Sequence, residues 1–264
     1  MKFALVNGQR QEAGPNLLGR CPACDHAMVA KCGEVRIWHW AHQGRRVCDP
    51  WWENETEWHR AWKGQFPDSW QEVVHTAEDG TRHIADLRTQ RGWVIEFQHS
   101  YIRPDERRAR QAFYAKLIWV VHGTRRKRDA KQLSMALNEG ALIFANLPVW
   151  RVSSDGCALL RDWAGSDAPV FFDFGDQRLW WLIASRPDGQ TFVGRYARSD
   201  FIEVHRGAIT QVAPNFDEYV QNLIGLITDY EAHARAQALR AAVPQPLPGF
   251  QQYLARQNSR RRRF

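Results

Sequence analysis

Three polar residues in the stretch IADLRTQRGWVIEFQHS, Asp86, Glu96 and Gln98, have the types and spacing of a cation site. Residues 84–88 and 93–98 are predicted strands joined by a turn, so that Glu96 and Gln98 share one strand face. If the hairpin loop has an odd number of residues, Asp86 lies opposite Glu96, with Cβ atoms about 5 Å apart. Two carboxylates at that distance repel each other unless a cation lies between them. A hard ion such as Mg²⁺, which prefers oxygen ligands, fits this description.

A predicted helix before the hairpin carries polar residues that could complete such a site. In ENETEWHRAWK, Glu55, His59 and Lys63 recur every four residues and therefore line one stripe of the helix. The stripe is either a solvated polar face or the source of a third carboxylate for Asp86 and Glu96. Spacing alone favours the solvated face.

A second predicted helix follows the hairpin and begins at Pro104, with acidic residues in its first turn. Arg107, Arg110 and Tyr114 lie on one face of it. This face is either solvated or contacts phosphate, since arginine binds phosphate oxygens in a bidentate manner. Gln98 could orient an attacking water or contact a phosphate oxygen, but it supplies no positive charge.

A cluster of cysteines and histidines precedes these elements. Cys21 and Cys24 have the two-residue spacing with which two thiolates bind one tetrahedral Zn²⁺. His39, His42 and Cys48 follow, and four of these five residues would close a structural site. We favour Cys21, Cys24, His42 and Cys48, with His39 as the substitute for either of the last two. The alternative is a set of reduced cysteines in a small core.

The elements that must position these residues alternate between helix and strand. The predicted order is a helix, three strands, a helix and a strand, at residues 51–66, 70–76, 84–88, 93–98, 104–116 and 117–121. A long helix is predicted for residues 214–242, and a basic tail follows it. The pattern is that of an α/β protein.

Composition sets the wider limits. The chain has 264 residues, a formal net charge of +7 and a pI near 9.4, and basic clusters occur at residues 107–110, 125–128 and 260–263. A polyanionic partner is therefore expected. No apolar run approaches the roughly 20 residues of a membrane span, so we expect a cytoplasmic protein that does not insert into membranes. The five cysteines are then not expected to form disulfides.

Several motifs in fixed order resemble the competence protein CoiA family: CPAC, WHWAH, ENETEWHRAWK, IAD, VIEFQHS, and an Arg-x-x-x-Tyr helix before IWVV. The resemblance covers roughly residues 20–122. It implies a PD-(D/E)XK nuclease with a restriction-endonuclease-like αβββαβ core. By position, Glu55 would be the helix carboxylate, Asp86 the first strand carboxylate, and Glu96 with Gln98 the Glu-x-Gln pair.

We therefore expect a Mg²⁺- or Mn²⁺-dependent deoxyribonuclease with a structural Zn²⁺, acting in DNA uptake, recombination or DNA processing. The expected partners are DNA and proteins of recombination or DNA uptake. The expected substrate-binding residues are Arg107, Arg110, Tyr114, His59 and Lys63. The expected regions are a zinc-finger-like module at 1–50, a nuclease-like core at 51–128, an α+β region at 129–243 and a disordered basic tail at 244–264.

Two other functions fit the same sequence. The absence of lysine at the position of Gln98 suits a non-catalytic DNA-binding protein that retains the nuclease scaffold. The cysteine-rich segment suits a zinc-dependent interaction module of the recombination machinery. A steep salt dependence of DNA binding would argue against the interaction module, because such a dependence indicates contacts with DNA phosphates.

Overall fold

The computed structural model describes residues 1–44, 48–207 and 215–242, together with residues 249, 252, 253 and 256. Most of the predicted basic tail, including residues 260–263, lies outside the described residues. The chain divides into two compact units, Met1–Phe216 and Asp217–Phe264. Helix α6 (Phe216–Ala242) occupies most of the described part of the second unit and confirms the long helix predicted there.

The first unit begins with a sheet of five short antiparallel strands. They are β1 (Phe3–Val6), β2 (Gln9–Glu12), β3 (Leu18–Arg20), β4 (Ala27–Lys31) and β5 (His39–His42), in the spatial order β2-β1-β3-β4-β5. Trp40, Met28 and Met1 are the largest buried side chains of its core, and the other buried members are alanines and Cys21. A core of this size buries little apolar surface, so the sheet needs a further source of stability.

The rest of the first unit is built on one nine-stranded sheet. Its strands are β6 (Gln71–Thr76), β7 (Arg82–Arg88), β8 (Val94–Gln98), β9 (Leu117–His122), β10 (Ala141–Phe144), β11 (Val149–Ser153), β12 (Val170–Asp173), β13 (Arg178–Ser185) and β14 (Gln190–Ala197). The helices are α1 (Glu57–Lys63), α2 (Pro104–Phe113), α3 (Asp129–Glu139), α4 (Ala158–Trp163) and α5 (Arg198–Arg206), and a short 3₁₀ turn spans Asp68–Trp70.

The spatial order of this sheet is β10-β11-β14-β13-β12-β9-β8-β7-β6. The strand β9 lies in the interior of the sheet and runs parallel to both β8 and β12, whereas all other neighbouring pairs are antiparallel. Residues 117–121 of β9 are fully buried, as expected for an apolar strand that is covered on both faces. The strands that follow residue 129 thus extend the same sheet.

Along the chain, α1, β6, β7, β8, α2 and β9 follow one another in the αβββαβ order predicted from the sequence. The first helix is shorter than predicted. It begins at Glu57 because Thr56 has an extended backbone and accepts a hydrogen bond from the backbone nitrogen of His59. Glu55 therefore precedes the helix, and its expected place on a helical stripe with His59 and Lys63 was wrong. Throughout the described residues, no helix combines the length and the apolar character of a membrane span.

Candidate active site and metal centre

The strands β7 and β8 place Asp86 opposite Glu96. Leu87 is in register with Ile95, and the connecting loop between the two strands has five residues, so the condition of an odd loop length is met. The second strand begins one residue later than predicted, at Val94. The backbone nitrogen of Asp86 donates to Oε1 of Glu96 at 3.3 Å, and that of Phe97 donates to Oδ2 of Asp86 at 3.0 Å. The two carboxylates are thus neighbours at the centre of the hairpin.

Both carboxylates line a polar cavity of about 50 Å³. The side chain of Asp86 is 27% exposed and that of Glu96 is 6% exposed, so Asp86 is the more accessible of the two. Acidic residues dominate the lining: Asp49, Glu53, Glu55, Glu72, Asp86 and Glu96. His59 and Arg110 are the basic residues among the described lining. The volume is sufficient for a cation and a few water molecules.

The electrostatics of the pair favour neutralisation. Burial and the charge of Asp86 raise the pKa of Glu96 to about 8, although Arg110 opposes the shift. Burial also raises the pKa of Asp86, against the opposing charges of Lys63 and His59. The ionised forms are therefore costly, and a positive charge placed between the two carboxylates would relieve that cost.

Lys63 contributes a buried positive charge next to this pair. Its Nζ lies 2.7 Å from Glu55 Oε2, 3.1 Å from Glu72 Oε1 and 3.9 Å from Asp86 Oδ1, and its side chain is only 1% exposed. Burial lowers the pKa of Lys63, but Glu72 and Glu55 outweigh burial and raise it. Glu55 and Lys63 therefore come together beside Asp86, with Lys63 behind the cavity wall.

Glu72 is a site residue that the sequence pattern does not single out. It lies in β6 with a φ of +46°, in the left-handed region that residues other than glycine rarely adopt. Its carboxylate accepts hydrogen bonds from the backbone nitrogens of Lys2 and Phe3 at 2.6 and 2.9 Å. Burial opposes its ionisation, yet Lys63 and these backbone donors hold the pKa of Glu72 near 2. Glu72 thereby joins the N-terminal sheet to the site.

Glu53 is the second residue that sequence reasoning missed, and it fixes Gln98. The side-chain nitrogen of Gln98 donates to Glu53 Oε1 at 2.7 Å and to the carbonyl oxygen of Ser100 at 3.2 Å. His59 Nε2 lies 2.8 Å from the carbonyl oxygen of Phe97 and 3.3 Å from Glu53 Oε2. Burial opposes the ionisation of Glu53, but hydrogen bonds from His59 and Ser100 hold its pKa near 2. Glu53 thus orients both predicted side chains.

Arg110 binds carboxylates at the site. Its guanidinium donates to Glu96 Oε2 at 2.8 Å, to Glu106 Oε1 at 2.5 Å and to the carbonyl oxygen of Trp51 at 2.6 Å. These contacts hold Glu96 against α2. The contact between Arg110 and a substrate phosphate stays a prediction.

Arg107 of α2 and Tyr114, which directly follows this helix, lie apart from the cavity lining. Arg107 donates to the carbonyl oxygens of Asp162 and Ala164 and stacks over Trp163. Tyr114 is buried and packs edge-on against His75, and burial together with Glu96 raises its pKa. The structure therefore brings His59, Lys63 and Arg110 to the carboxylates and leaves Arg107 away from them.

A candidate metal centre is formed by Cys21, Cys24, His42 and Cys48, whose ligand atoms all lie within 4.8 Å of one another. The sulfurs of Cys21 and Cys48 are 3.7 Å apart, and Cys24 Sγ is 3.4 Å from His42 Nε2. Tetrahedral zinc with Zn–S bonds of about 2.3 Å and Zn–N bonds of about 2.0 Å needs separations of roughly 3.8 and 3.5 Å. The four residues therefore fit a structural zinc ion.

His39 is excluded from this centre by the geometry of β5. It lies three positions from His42, and side chains an odd number of positions apart point to opposite faces of a strand. Its Nδ1 lies 2.9 Å from the carbonyl oxygen of Ile37. The favoured set of ligands is the one that comes together.

The centre is tied directly to the strand that carries Asp86. Asp49, which follows the ligand Cys48, accepts hydrogen bonds from His83 Nδ1 at 2.9 Å and from the backbone nitrogen of Ile84 at 2.8 Å. Arg82, also in β7, donates to the carbonyl oxygen of Ala23, the residue before the ligand Cys24, at 2.8 Å. The metal centre and the carboxylate cavity therefore share β7 as a common support.

Residues 20–50 match a family model described as Competence protein CoiA, N-terminal domain. The matched segment contains all four ligands of the metal centre. The match confirms the resemblance to CoiA for this segment, whereas Asp86 and Glu96 lie outside it. No curated protein and no solved structure matches the chain.

Proposed function

We propose that this chain hydrolyses phosphodiester bonds in DNA, with a divalent cation held by Asp86 and Glu96. The observation that carries the proposal is the opposition of these two carboxylates in a polar cavity, where burial raises the pKa of both and the charge of Asp86 raises that of Glu96 further. Such a pair is unstable as two bare anions and is relieved by a cation. The αβββαβ order of elements supports assignment to the restriction-endonuclease-like class.

The donor set suits magnesium better than a softer metal. Mg²⁺ is commonly held by one or two carboxylates, with water and substrate phosphate completing its coordination. Among the described residues, the cysteine–histidine centre is the only close group of three or more ligand atoms. Two carboxylates without further protein ligands leave coordination positions for water and phosphate. When bound, the cation would supply Lewis-acid activation of water and of the phosphodiester.

The neighbouring residues have separable roles in this proposal. Lys63 pairs with Glu55, keeps Glu72 ionised and contributes positive charge 3.9 Å from Asp86. It thus supplies, from α1, the charge that Gln98 lacks. Because the Gln98 nitrogen is held by Glu53, the group that Gln98 can offer to water is its carbonyl oxygen, an acceptor that orients the attacking molecule. Arg110 holds Glu96 in place.

Two observations favour DNA as the substrate. The net charge of +7 favours binding to a polyanion. The family model that matches residues 20–50 is named for a competence protein, which is consistent with a role in the handling of incoming DNA. We propose that the metal centre braces β7 beside the cavity and that proteins of DNA uptake or recombination are partners.

The proposal is tested by incubating the purified protein with labelled single- and double-stranded DNA, with Mg²⁺, with Mn²⁺ or with EDTA. We expect cleavage that requires the cation and falls by more than about a hundredfold in Asp86→Asn, with DNA binding retained. Asp105→Asn is the matched control, since Asp105 is exposed on α2 and contacts Arg103. DNA binding without cleavage under every cation condition would contradict the proposal and favour the non-catalytic binder.

A further inference from the structure

A second cavity adjoins the carboxylate cavity and differs from it in character. It has a volume of about 240 Å³ and lies between the N-terminal sheet and β7. Its floor is formed by Trp40 and Met28, both almost fully buried, and Trp52 lies at its rim with 48% of its surface exposed. The two cavities share Met1, Asp49, Trp52 and Ile84 as lining residues. A charged site and an aromatic-lined site thus have a common wall.

From this arrangement we propose that the second cavity binds a nucleobase of the substrate strand, next to the phosphate that enters the carboxylate cavity. The inference rests on the proposed function and names its substrate class. A nucleotide has the same two-part chemistry, with a flat apolar ring close to an anionic group. The cavity is large enough for either ring size, since an apolar cavity of about 150 Å³ accommodates benzene.

The cavity walls also indicate how the base would be recognised. The carboxylate of Asp49 already accepts from His83, Ile84 and Trp51, and His42 belongs to the metal centre. Few uncommitted hydrogen-bonding groups remain among the described lining, so binding depends on stacking and apolar contact rather than on base edges. Binding by stacking on an aromatic side chain accepts any of the four bases, so the site would not select a DNA sequence.

The geometry has a consequence for strand preference. A base that enters a pocket must leave the stack of a duplex, which costs a few kcal/mol of unpairing and unstacking. A single strand does not incur this cost in full. The site therefore takes single-stranded DNA, or the unpaired end or gap of a duplex, in preference to intact double-stranded DNA.

The test uses the full chain with Asp86→Asn, so that binding is measured without cleavage. Binding of a labelled oligonucleotide of about 16 nucleotides is followed by fluorescence anisotropy, with one abasic position moved along the strand. We expect one position, or two adjacent ones, at which loss of the base weakens binding roughly five- to a hundredfold. The added change Trp52→Ala should weaken binding of the intact strand similarly and abolish the effect of that abasic position.

Controls separate stacking from folding. Trp38 is also 48% exposed and lines neither cavity, so Trp38→Ala should bind like the parent protein. Trp52→Phe should restore most of the affinity, because an aromatic face is retained. The binding measurements with abasic oligonucleotides use protein in which Trp52 is intact. Their result therefore does not depend on whether a Trp52 variant folds. Equal binding at every abasic position, or equal affinity of Trp52→Ala and Trp38→Ala, would overturn the nucleobase site.

Cleavage assays on the chain with Asp86 intact distinguish this failure from failure of the proposed function. Cleavage without any abasic effect refutes the nucleobase site and leaves the nuclease. An abasic effect without cleavage under any cation condition refutes the hydrolase and leaves a base-binding site. Absence of DNA binding refutes both.

Discussion

Replacement of Lys63 by methionine tests whether the candidate site is organised around one buried cation. Methionine has a similar length and no charge, so the change removes the charge and keeps much of the packing. In the wild type, Nζ lies within 4 Å of the carboxylates of Glu55, Glu72 and Asp86. At an effective dielectric of about 20, each contact contributes roughly 4–6 kcal/mol before desolvation is subtracted.

After desolvation, removal of one partner from a buried ion pair costs about 3–5 kcal/mol. For a chain of this size, that corresponds to a fall in Tm of roughly 6–20 °C. We expect this loss for Lys63→Met in urea unfolding and in thermal scans at neutral pH. Lys131→Met is the matched control, because Lys131 is an exposed lysine on α3. The control should change the free energy of unfolding by less than about 0.5 kcal/mol.

The pH dependence of the stability difference between wild type and Lys63→Met gives a second test. The pKa of Glu72 is held near 2 in the folded protein, below its unfolded value of about 4.3. This depressed pKa contributes stability that is present above about pH 4.3 and is lost as the pH falls toward 2. The difference in the free energy of unfolding between wild type and Lys63→Met should therefore be largest near neutral pH and should decrease below about pH 4. A gap below about 1 kcal/mol at pH 7, or one that does not narrow in acid, would refute the reasoning.

Three further predictions concern the metal centre, the cavity and the support of α1. Cys48→Ser should lose the bound zinc measured by atomic emission and His39→Ala should keep it; the ligand set is wrong if the two lose zinc equally. In cation-free protein the raised pKa of Glu96 makes the free energy of unfolding fall as the pH rises from about 4.3 to about 8. Glu96→Gln should flatten this decline when the free energy is measured by urea unfolding. The same decline with pH in wild type and Glu96→Gln would contradict the prediction. Asp173→Asn weakens the acceptor for the indole N–H groups of Trp58 and Trp62 and should cost about 3 kcal/mol of unfolding free energy; a loss below 1 kcal/mol would show that this carboxylate does not secure α1.

The features that could be predicted from the sequence are those governed by local periodicity. Strand alternation predicts Asp86 opposite Glu96 on the condition that the loop is odd in length, and the Cys-x-x-Cys spacing identifies the first pair of metal ligands. The loop length itself came from the structure, because the predicted strands leave four residues where the structure has five. The choice of His42 over His39 depends on the face that each occupies in β5, and spacing alone leaves that choice open.

The features that could not be predicted depend on contacts between segments far apart in the chain. Glu72 acquires its role through a left-handed backbone conformation and through the amides of Lys2 and Phe3, about 70 positions earlier. Glu53 lies outside any helix or strand and gains its role from Gln98. Lys63 was expected on a surface stripe or against substrate, and its burial follows from carboxylates that three other segments supply. No local pattern encodes such convergence.

The central claim is that Asp86 and Glu96 together hold a divalent cation. The most direct measurement is a crystal structure of the protein soaked in Mn²⁺, with anomalous diffraction used to locate the metal. The account predicts an anomalous peak in contact with both carboxylates that is absent from crystals of Asp86→Asn. A soaked crystal without a peak at this pair, or with a peak that survives in Asp86→Asn, would contradict it.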